Sequence, residues 1–142
     1  MWMCKHSNFI NYSYLMIAGI FGEDGELFFE VQLVPALGAP FTVPALFDTG
    51  FTDGWLLIDR QDLEALEWSE GLGQTKMRTA RGEGTFSIYK GKVIVDEVEV
   101  TIPIHVGRDV PETALGSAWL DIMKLVVNNS VGLLTLEFIE PS

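Results

Sequence analysis

The stretch ALFDTGFTDGWLLI, residues 45–58, places a carboxylate directly after two large apolar residues and ahead of a second apolar run. Asp48 follows Leu46 and Phe47, in a position where desolvating an ionised side chain is costly. A surface turn is one explanation, since Asp and Gly are common turn residues. A catalytic carboxylate held where a core strand ends is the other, and it leads us to expect that Asp48 is shielded from water.

The composition indicates one soluble globular domain. The chain has 142 residues, of which 48% are hydrophobic and 20% are charged, and this argues against disorder. Nine lysines and arginines stand against twenty acidic residues, giving a formal net charge of -11. Such a surface repels phosphate backbones and anionic lipid, so nucleic acid and membranes are not expected as partners.

Cysteine and histidine are too sparse to indicate a metal site or a disulfide. Cys4 is the single cysteine, and the two histidines, His6 and His105, lie far apart in the sequence. His105 falls in a strand-like run, where a packed or edge histidine is the expected role. We therefore expect no metal, no cofactor and no oxidising compartment, and the location is predicted to be cytoplasmic.

The N-terminal segment resembles a secretion signal only faintly. Asn8 and Asn11 interrupt its apolar run, and no cleavage pattern of small residues follows. We expect residues 1–13 to form a flexible tail, with Met16 as an alternative translation start, and residues 14–142 to form one domain.

From residue 14 onward the sequence alternates strand-like segments with turns. YLMIAGIF and ELFFEVQLVP are predicted to form a hairpin, and FTVPALF to form a strand that runs into Asp48. WLLI is predicted as a short buried strand, followed by the helix RQDLEALEW with Asp59 as its cap. GLGQTK superficially suggests a phosphate loop but lacks the required order of lysine and hydroxyl, and we interpret it as a plain loop.

The second half of the chain predicts more antiparallel strands. Two long strands are expected to join at Asp96 and Glu97, and the tip TARGEG, residues 79–84, breaks the first of them. ALGSAWLDIMK is predicted as one short helix, and the remaining residues as a closing hairpin. The residues thus predict an all-β barrel or sandwich with one or two short helices.

The sequence around Asp48 resembles the retroviral-type aspartic peptidases, the retropepsins. The tripeptide Asp48-Thr49-Gly50 follows two apolar residues, as in that family, and TARGEG follows at about the distance of the family's flap. ALG, residues 114–116, is similar to its apolar-apolar-Gly segment. The resemblance covers residues 16–138 and is greatest to short, single-lobe members of bacterial and cyanobacterial type.

The resemblance implies a small closed barrel with a flap hairpin and an aspartic endopeptidase activity. Such chemistry needs two carboxylates that share one proton, so that one activates water while the other polarises the scissile carbonyl. Because the chain has one Asp-Thr-Gly, the partner is expected to be Asp48 of a second subunit in a homodimer. Thr49 is expected to lock the two active-site loops together, and Gly50 to allow close backbone approach.

The resemblance also implies which residues contact a peptide or protein substrate. These are expected to be Phe51, Thr52, Asp53, Ala80, Arg81 and Gly82. Phe51 replaces a small residue of the family pattern, and Ser117 and Ala118 replace a basic residue and an Asp or Asn, which removes an expected ion pair between subunits. The alternative is a non-catalytic dimeric barrel of the same fold that binds peptides or other proteins.

Overall fold

A computed structural model of the protein describes residues 15–79 and 82–139. The strands are β1 (Met16–Ala18), β2 (Ile20–Phe21), β3 (Leu27–Val34), β4 (Phe41–Phe47), β5 (Leu56–Asp59), β6 (Gly71–Thr79), β7 (Gly82–Val95), β8 (Val98–Gly107), β9 (Ala114–Leu115), β10 (Met123–Asn128) and β11 (Leu133–Phe138). The helices within these described ranges are α1 (Arg60–Leu66) and the 3₁₀ helices Ser117–Asp121 and Asn129–Val131. The predicted all-β class is confirmed, and the predicted tail at residues 1–13 lies outside the described residues.

Six strands form a closed barrel. Their order is β3-β4-β9-β5-β8-β7, and the ring closes because β7 also pairs with β3, at Lys92–Val34 among other pairs. β2 extends the sheet beyond β3, and β6 extends it beyond β7. β1, β11 and β10 form a second sheet whose inner side chains join the same hydrophobic core. The barrel option is therefore confirmed over the sandwich.

Alternation along each strand determines which side chains enter the core. In β3, Phe29, Val31 and Leu33 are buried, while Glu30 between them is exposed. β8 shows the same period of two, which directs one face of each strand to the barrel interior. The core is therefore formed by the apolar residues that recur at every second position of the strands.

Helix α1 forms where the sequence predicts it. Asp59 caps it, since its carboxylate accepts a hydrogen bond from the backbone N–H of Gln61. Leu63 and Leu66 are buried on one face. The helix ends before the predicted limit because Glu67 adopts a left-handed backbone and donates its N–H to the Leu63 carbonyl.

Two predicted elements are only partly correct. Of the predicted helix over residues 114–124, Ser117–Asp121 is helical, as a 3₁₀ helix, whereas Ala114–Leu115 form strand β9 and Met123 begins β10. Ala114 and Leu115 pair with β4 and β5, and this tertiary ladder overrides their helical propensity. The predicted loop GLGQTK belongs to β6, which pairs with β7 and is irregular between Gly71 and Gly73.

The predicted first hairpin is also only partly correct. β2 pairs with β3 as expected, but β1 pairs with β11 at the other end of the chain. The switch occurs at Gly19, where a Cβ atom would lie 2.6 Å from the Phe28 carbonyl oxygen. Glycine therefore permits the close approach that divides the segment between two sheets. The hairpin at Asp96 and Glu97 and the closing β10–β11 hairpin are confirmed.

Candidate active site

The loop that carries Asp48 is held by a strand inserted between its two ends. The Asp48 loop, residues 48–55, leaves β4 and returns as β5, and β9 lies between these strands, parallel to β4 and antiparallel to β5. Asp48 donates its backbone N–H to the Leu115 carbonyl at 2.8 Å, and Gly116 donates to the Trp55 carbonyl at 3.1 Å. Both ends of the loop are thereby fixed to the segment containing β9.

Asp48 begins a tight turn directly after β4 ends. Its Oδ1 accepts a hydrogen bond from the Gly50 N–H at 2.9 Å, and its carbonyl accepts one from the Phe51 N–H at 3.1 Å. The turn holds the carboxylate at the barrel surface, where in the single chain it is exposed to solvent. The expectation that Asp48 is shielded is therefore not met within one chain, since the side chain lies beyond the last residue of β4.

The Asp48 carboxylate lines an open cleft of about 320 Å³, named here the Asp48 cleft. Its walls come from the Asp48 loop, β5 and β6, the strand that begins the β6–β7 hairpin. The lining residues are Asp48, Gly50, Phe51, Thr52, Leu57, Met77 and Arg78. The Asp48 carboxylate therefore shares the cleft with one basic residue, Arg78, and with the apolar side chains of Phe51, Leu57 and Met77. Apolar walls with a few polar groups are typical of binding sites for small molecules and peptides.

Comparison with known proteins identifies the fold. No protein family model matches the sequence, and no curated protein is detectably similar to it. A solved structure of a retropepsin-like aspartic protease from Rickettsia conorii is similar over 89% of this chain and 91% of its own, with a TM-score of 0.58 and 19% sequence identity. The chain has a retropepsin-like fold. The solution structure of the simian foamy virus (mac) protease has a TM-score of 0.46 and 16% identity, covering 66% of this chain and 94% of its own.

Within this retropepsin-like barrel, two glycines let the Asp48 loop pack directly on the segment after β9. A Cβ atom on Gly116 would lie 2.2 Å from the Gly54 carbonyl oxygen and 2.7 Å from a ring carbon of Phe51. A Cβ atom on Gly54 would lie 2.1 Å from the Phe51 ring. No side chain fits at either position without displacing its neighbours, so both glycines are needed for the shape of the site.

Ser117 has a local role that the sequence did not indicate. Its hydroxyl oxygen accepts the backbone N–H of Asp53 at 2.9 Å, and its own N–H donates to the Phe51 carbonyl at 3.0 Å. Asp53 has a left-handed backbone with φ of 61°, which the hydroxyl contact helps to hold. Ser117 has no charge for an ion pair between subunits, but its two hydrogen bonds fix the part of the Asp48 loop from Phe51 to Asp53.

The structure separates the residues that the resemblance marked for substrate contact. Phe51 and Thr52 line the Asp48 cleft, whereas Asp53 is absent from its lining. Gly82 lines a different cavity, described below. Thr49 is exposed beside the cleft, and Ala80 and Arg81 lie outside the described residues.

Three lining residues of the cleft were missed from the sequence. Leu57 lies on β5, and Met77 and Arg78 lie on β6 directly before the predicted hairpin tip. A weak signal existed for Met77, because Thr75 and Met77 alternate with exposed Lys76 as on a half-buried strand. The sequence predicts a strand from Thr75 onward, and β6 confirms it, but its position beside Asp48 depends on tertiary pairing.

His105 supports the Asp48 loop from beneath. Its ring lies 5.0 Å from the Phe51 ring, measured between centroids, in a T-shaped arrangement with an interplanar angle of 88°. Its Nδ1 is buried with no hydrogen-bond partner among the described residues. Burial lowers the pKa of His105 below 6.5, because desolvation disfavours the charged imidazole. The predicted role of a packed histidine fits this position.

We expect His105 to make the protein less stable as pH falls. Because folding lowers its pKa, the unfolded chain binds the proton more readily, so stability present above pH 6.5 is lost below it. The melting temperature should therefore fall more from pH 7.5 to 5.5 in the wild type than in His105→Phe, which keeps the ring but cannot titrate. Burial raises the pKa values of Asp62 and Asp96, so these two groups make the protein more stable as pH falls. Both are present in the wild type and in the variant, so their effect is the same in the two proteins. Equal pH slopes in the two proteins would contradict the assignment.

The described residues contain neither a metal-ligand cluster nor a membrane-spanning helix. Within residues 15–79 and 82–139, no group of three or more His, Cys, Asp or Glu side chains is arranged to hold a metal ion. No helix in the described part of the chain has the length and apolar character needed to cross a membrane.

Proposed function

We propose that the protein is an aspartic endopeptidase that acts as a homodimer and hydrolyses peptide bonds with water activated between two Asp48 carboxylates. The observation that carries this proposal is the position of Asp48. It follows the last residue of β4, is fixed by the backbone of Leu115, and faces an open cleft in a retropepsin-like fold.

The chemistry requires a second carboxylate, and the cleft of one chain does not provide it. Asp48 is the one acidic residue among the described residues that line the cleft, and Asp53 lies outside that lining. Two carboxylates a few ångströms apart share one proton, because both cannot ionise so close together. One then acts as general base toward water while the protonated one donates to the scissile carbonyl. A symmetric dimer supplies the pair from a single gene product.

The exposure of Asp48 in one chain agrees with this arrangement. Water would screen an isolated carboxylate, whereas contact with a second subunit at the cleft would exclude water and strengthen the interaction of the pair. Shielding is then a property of the dimer, which reconciles the sequence expectation with the exposed side chain.

Each residue of the loop has a part in the proposed mechanism. The Gly50 N–H orients Asp48 Oδ1 at 2.9 Å, which leaves Oδ2 for water or substrate. Thr49 is proposed to bond across the dimer contact. Phe51, Leu57 and Met77 give an apolar wall suited to an extended peptide segment. The tip of the β6–β7 hairpin, residues 79–84, is proposed as a cover over bound substrate.

The second candidate is a dimeric barrel that binds peptides without cleaving them. An extended peptide can add as a strand to an open sheet edge, and such binding needs no carboxylate in the cleft. The intact Asp-Thr-Gly at residues 48–50 and the cleft in front of it favour the peptidase, because a binding module has no chemical need for either.

We expect activity to depend on enzyme concentration and pH. Each subunit has a formal charge of -11, so association brings like charges together, and salt or carboxylate protonation should relieve the repulsion. Peptidase activity should be greatest below neutrality, because protonation of surface carboxylates favours the dimer. The rate should rise more steeply than linearly with concentration where the dimer is partly populated.

Sedimentation and a rate assay over one pH and salt series test this expectation. A fully active monomer would eliminate the shared site. So would first-order dependence on enzyme that persists at concentrations where sedimentation detects no dimer.

A further inference from the structure

A second cavity lies apart from the Asp48 cleft, at the point where β8 ends. It has a volume of about 460 Å³, within the range of ligand sites, and shares no lining residue with the Asp48 cleft. One wall is the N-terminal half of β7, and the other consists of the residues that follow β5 and β8. We name it the arginine cavity after Arg60 and Arg108, which both line it.

The strand register brings the two arginines to one wall of the cavity. β5 and β8 are parallel neighbours whose last pair is Asp59 and Gly107. Arg60, the first residue of α1, directly follows Asp59, and Arg108 directly follows Gly107, where β8 ends. Both arginine side chains are exposed and line the same cavity.

Asp59 fixes this arrangement through backbone hydrogen bonds and forms no ion pair with either arginine. Its Oδ2 accepts the Gln61 N–H at 3.0 Å, and its Oδ1 accepts the Val110 N–H at 2.9 Å. The carboxylate therefore joins the start of α1 to the turn after β8, and these backbone hydrogen bonds lower its pKa. Both of its oxygens are engaged by the backbone.

Neither arginine has an ionic partner in the described part of the chain. The ion pairs found there join Lys90 to Glu70, Lys92 to Glu99 and Lys124 to Glu137. Two further acids lie nearby: Glu83 lines the same cavity, and Asp109 follows Arg108 with a left-handed φ of 56°. Neither of them forms an ion pair with Arg60 or Arg108, so the guanidinium groups are available to a ligand.

The β7 wall of the cavity is an open sheet edge. The two-residue connection at Asp96 and Glu97, both with positive φ, closes the β7–β8 hairpin at the pair Val95 and Val98. In such a hairpin the closing pair exchanges both hydrogen bonds, and every second residue back along the strand repeats the pattern. This series reaches Ser87, which pairs with Val106 near the end of β8.

β7 continues beyond β8, and on this side Glu83 and Thr85 have no strand opposite them among the described residues. Glu83 and Thr85 continue the alternation from Ser87, so each directs its N–H and C=O away from β6 and toward the cavity. An edge with outward donors and acceptors at every second residue is the feature to which an extended peptide adds as a strand.

We propose that the arginine cavity binds an extended acidic peptide, which adds as a strand along residues 83–85 and places a carboxylate on Arg60 and Arg108. Backbone hydrogen bonds to Glu83 and Thr85 supply affinity for any extended chain. The guanidinium pair selects an acidic one, because arginine binds carboxylates through paired, charge-assisted hydrogen bonds. The proposal goes beyond peptide cleavage and does not depend on it.

The net charge of the protein does not prevent such binding. Exposed charges more than about 10 Å apart are largely screened at 0.1 M salt, so a bound carboxylate interacts mainly with the nearest groups. Among the residues that line the cavity, the two arginines outnumber the single acid, Glu83. Binding should weaken as salt rises, because the guanidinium contacts are solvent-accessible.

Calorimetric titration of the full chain tests the ionic part of the proposal. Asp48→Asn serves as the background, so that no peptide is cleaved during the measurement. The probe is a ten-residue peptide of alternating Thr and Glu with an amidated C-terminus, compared with the same peptide carrying Gln in place of Glu. We expect the Glu peptide to bind about tenfold more tightly, the difference expected for charge-assisted hydrogen bonds.

Substitution of both arginines should remove that preference. Arg60→Gln with Arg108→Gln should weaken the Glu peptide by about tenfold and leave the Gln peptide unchanged. Lys92→Gln with Lys124→Gln changes the net charge equally, at residues outside the cavity, and should alter neither affinity by more than about twofold. Equal affinity for the two peptides, or equal effects of the two double variants, would overturn the ionic assignment.

A backbone test separates strand addition from simple anion binding. Thr85→Pro removes the outward N–H, whereas Thr85→Ala keeps it, so we expect binding to be lost in the first variant and retained in the second. Peptides N-methylated at alternate residues test the same hydrogen bonds in the unmodified cavity, whether or not the proline variant folds. Full binding of both N-methylated registers, or equally tight binding of free glutarate, would contradict strand addition. A peptide with a free C-terminal carboxylate and no Glu identifies which carboxylate the arginines bind. Binding as tight as that of the Glu peptide would show that they accept a C-terminal carboxylate. Weak binding of this peptide would show that they bind the Glu side chain.

Discussion

Replacing Asp48 with Asn is expected to lower the rate of peptide cleavage by at least about a thousandfold, because an amide can neither accept a proton from water nor share one with its partner. Asn keeps the size of Asp and an oxygen that can accept the Gly50 N–H, so the loop should remain intact. A peptide cleavage assay with purified protein gives the rate, and unfolding curves verify the fold. Asp121→Asn removes the same charge at an exposed position outside the cleft and should leave the rate within about twofold.

Mixing the two proteins makes this prediction specific to a shared site. If each dimer needs two Asp48 carboxylates, an equimolar mixture of wild type and Asp48→Asn that has exchanged subunits should have about a quarter of the activity of the same total amount of wild type, because random pairing joins two wild-type subunits in about one dimer of four. Half the activity of an equal total amount of wild type would indicate independent subunits. Wild-type rates in Asp48→Asn alone would eliminate the aspartic mechanism.

Substituting Gly116 with Ala is expected to destabilise the protein by about 2 to 4 kcal/mol and to abolish activity. Its backbone is extended, so alanine meets no conformational penalty there. The cost is steric, since the new Cβ would lie 2.2 Å from the Gly54 carbonyl oxygen and 2.7 Å from the Phe51 ring. Relief requires the Asp48 loop to move away from the segment after β9. Such a loss is a large part of the total stability of a small domain, about 5–15 kcal/mol.

Urea unfolding with a matched glycine measures this effect. Gly71 lies at the start of β6, where an added Cβ atom would meet no other atom within 4 Å and the backbone φ is not positive. Gly71→Ala should therefore change the free energy of unfolding by no more than about 0.5 kcal/mol. Equal stability of the two variants would show that the loop and the segment after β9 are not in tight contact.

The all-β class and the start of helix α1 at Asp59 could be predicted from the sequence. Alternating apolar residues such as Phe29, Val31 and Leu33 predict one buried face per strand, because successive side chains point to opposite sides. Asp59 predicts the start of a helix through its capping carboxylate, and the capping hydrogen bond is present. Local periodicity and local hydrogen bonding are encoded within a few residues, and the sequence therefore contains them directly.

Only the three-dimensional structure shows which segments that are distant in sequence are in contact. Ala114 and Leu115 have helical propensity, yet they become a strand because β4 and β5 offer hydrogen bonds on both sides. The cleft lining by Met77, the contact of His105 with Phe51 and the presence of Arg60 and Arg108 in one cavity arise in the same way. Each depends on strand pairing between residues far apart in sequence, where register and barrel closure determine proximity. A single sequence contains no local signal for these contacts, since their energy comes from partners that approach only when the barrel closes.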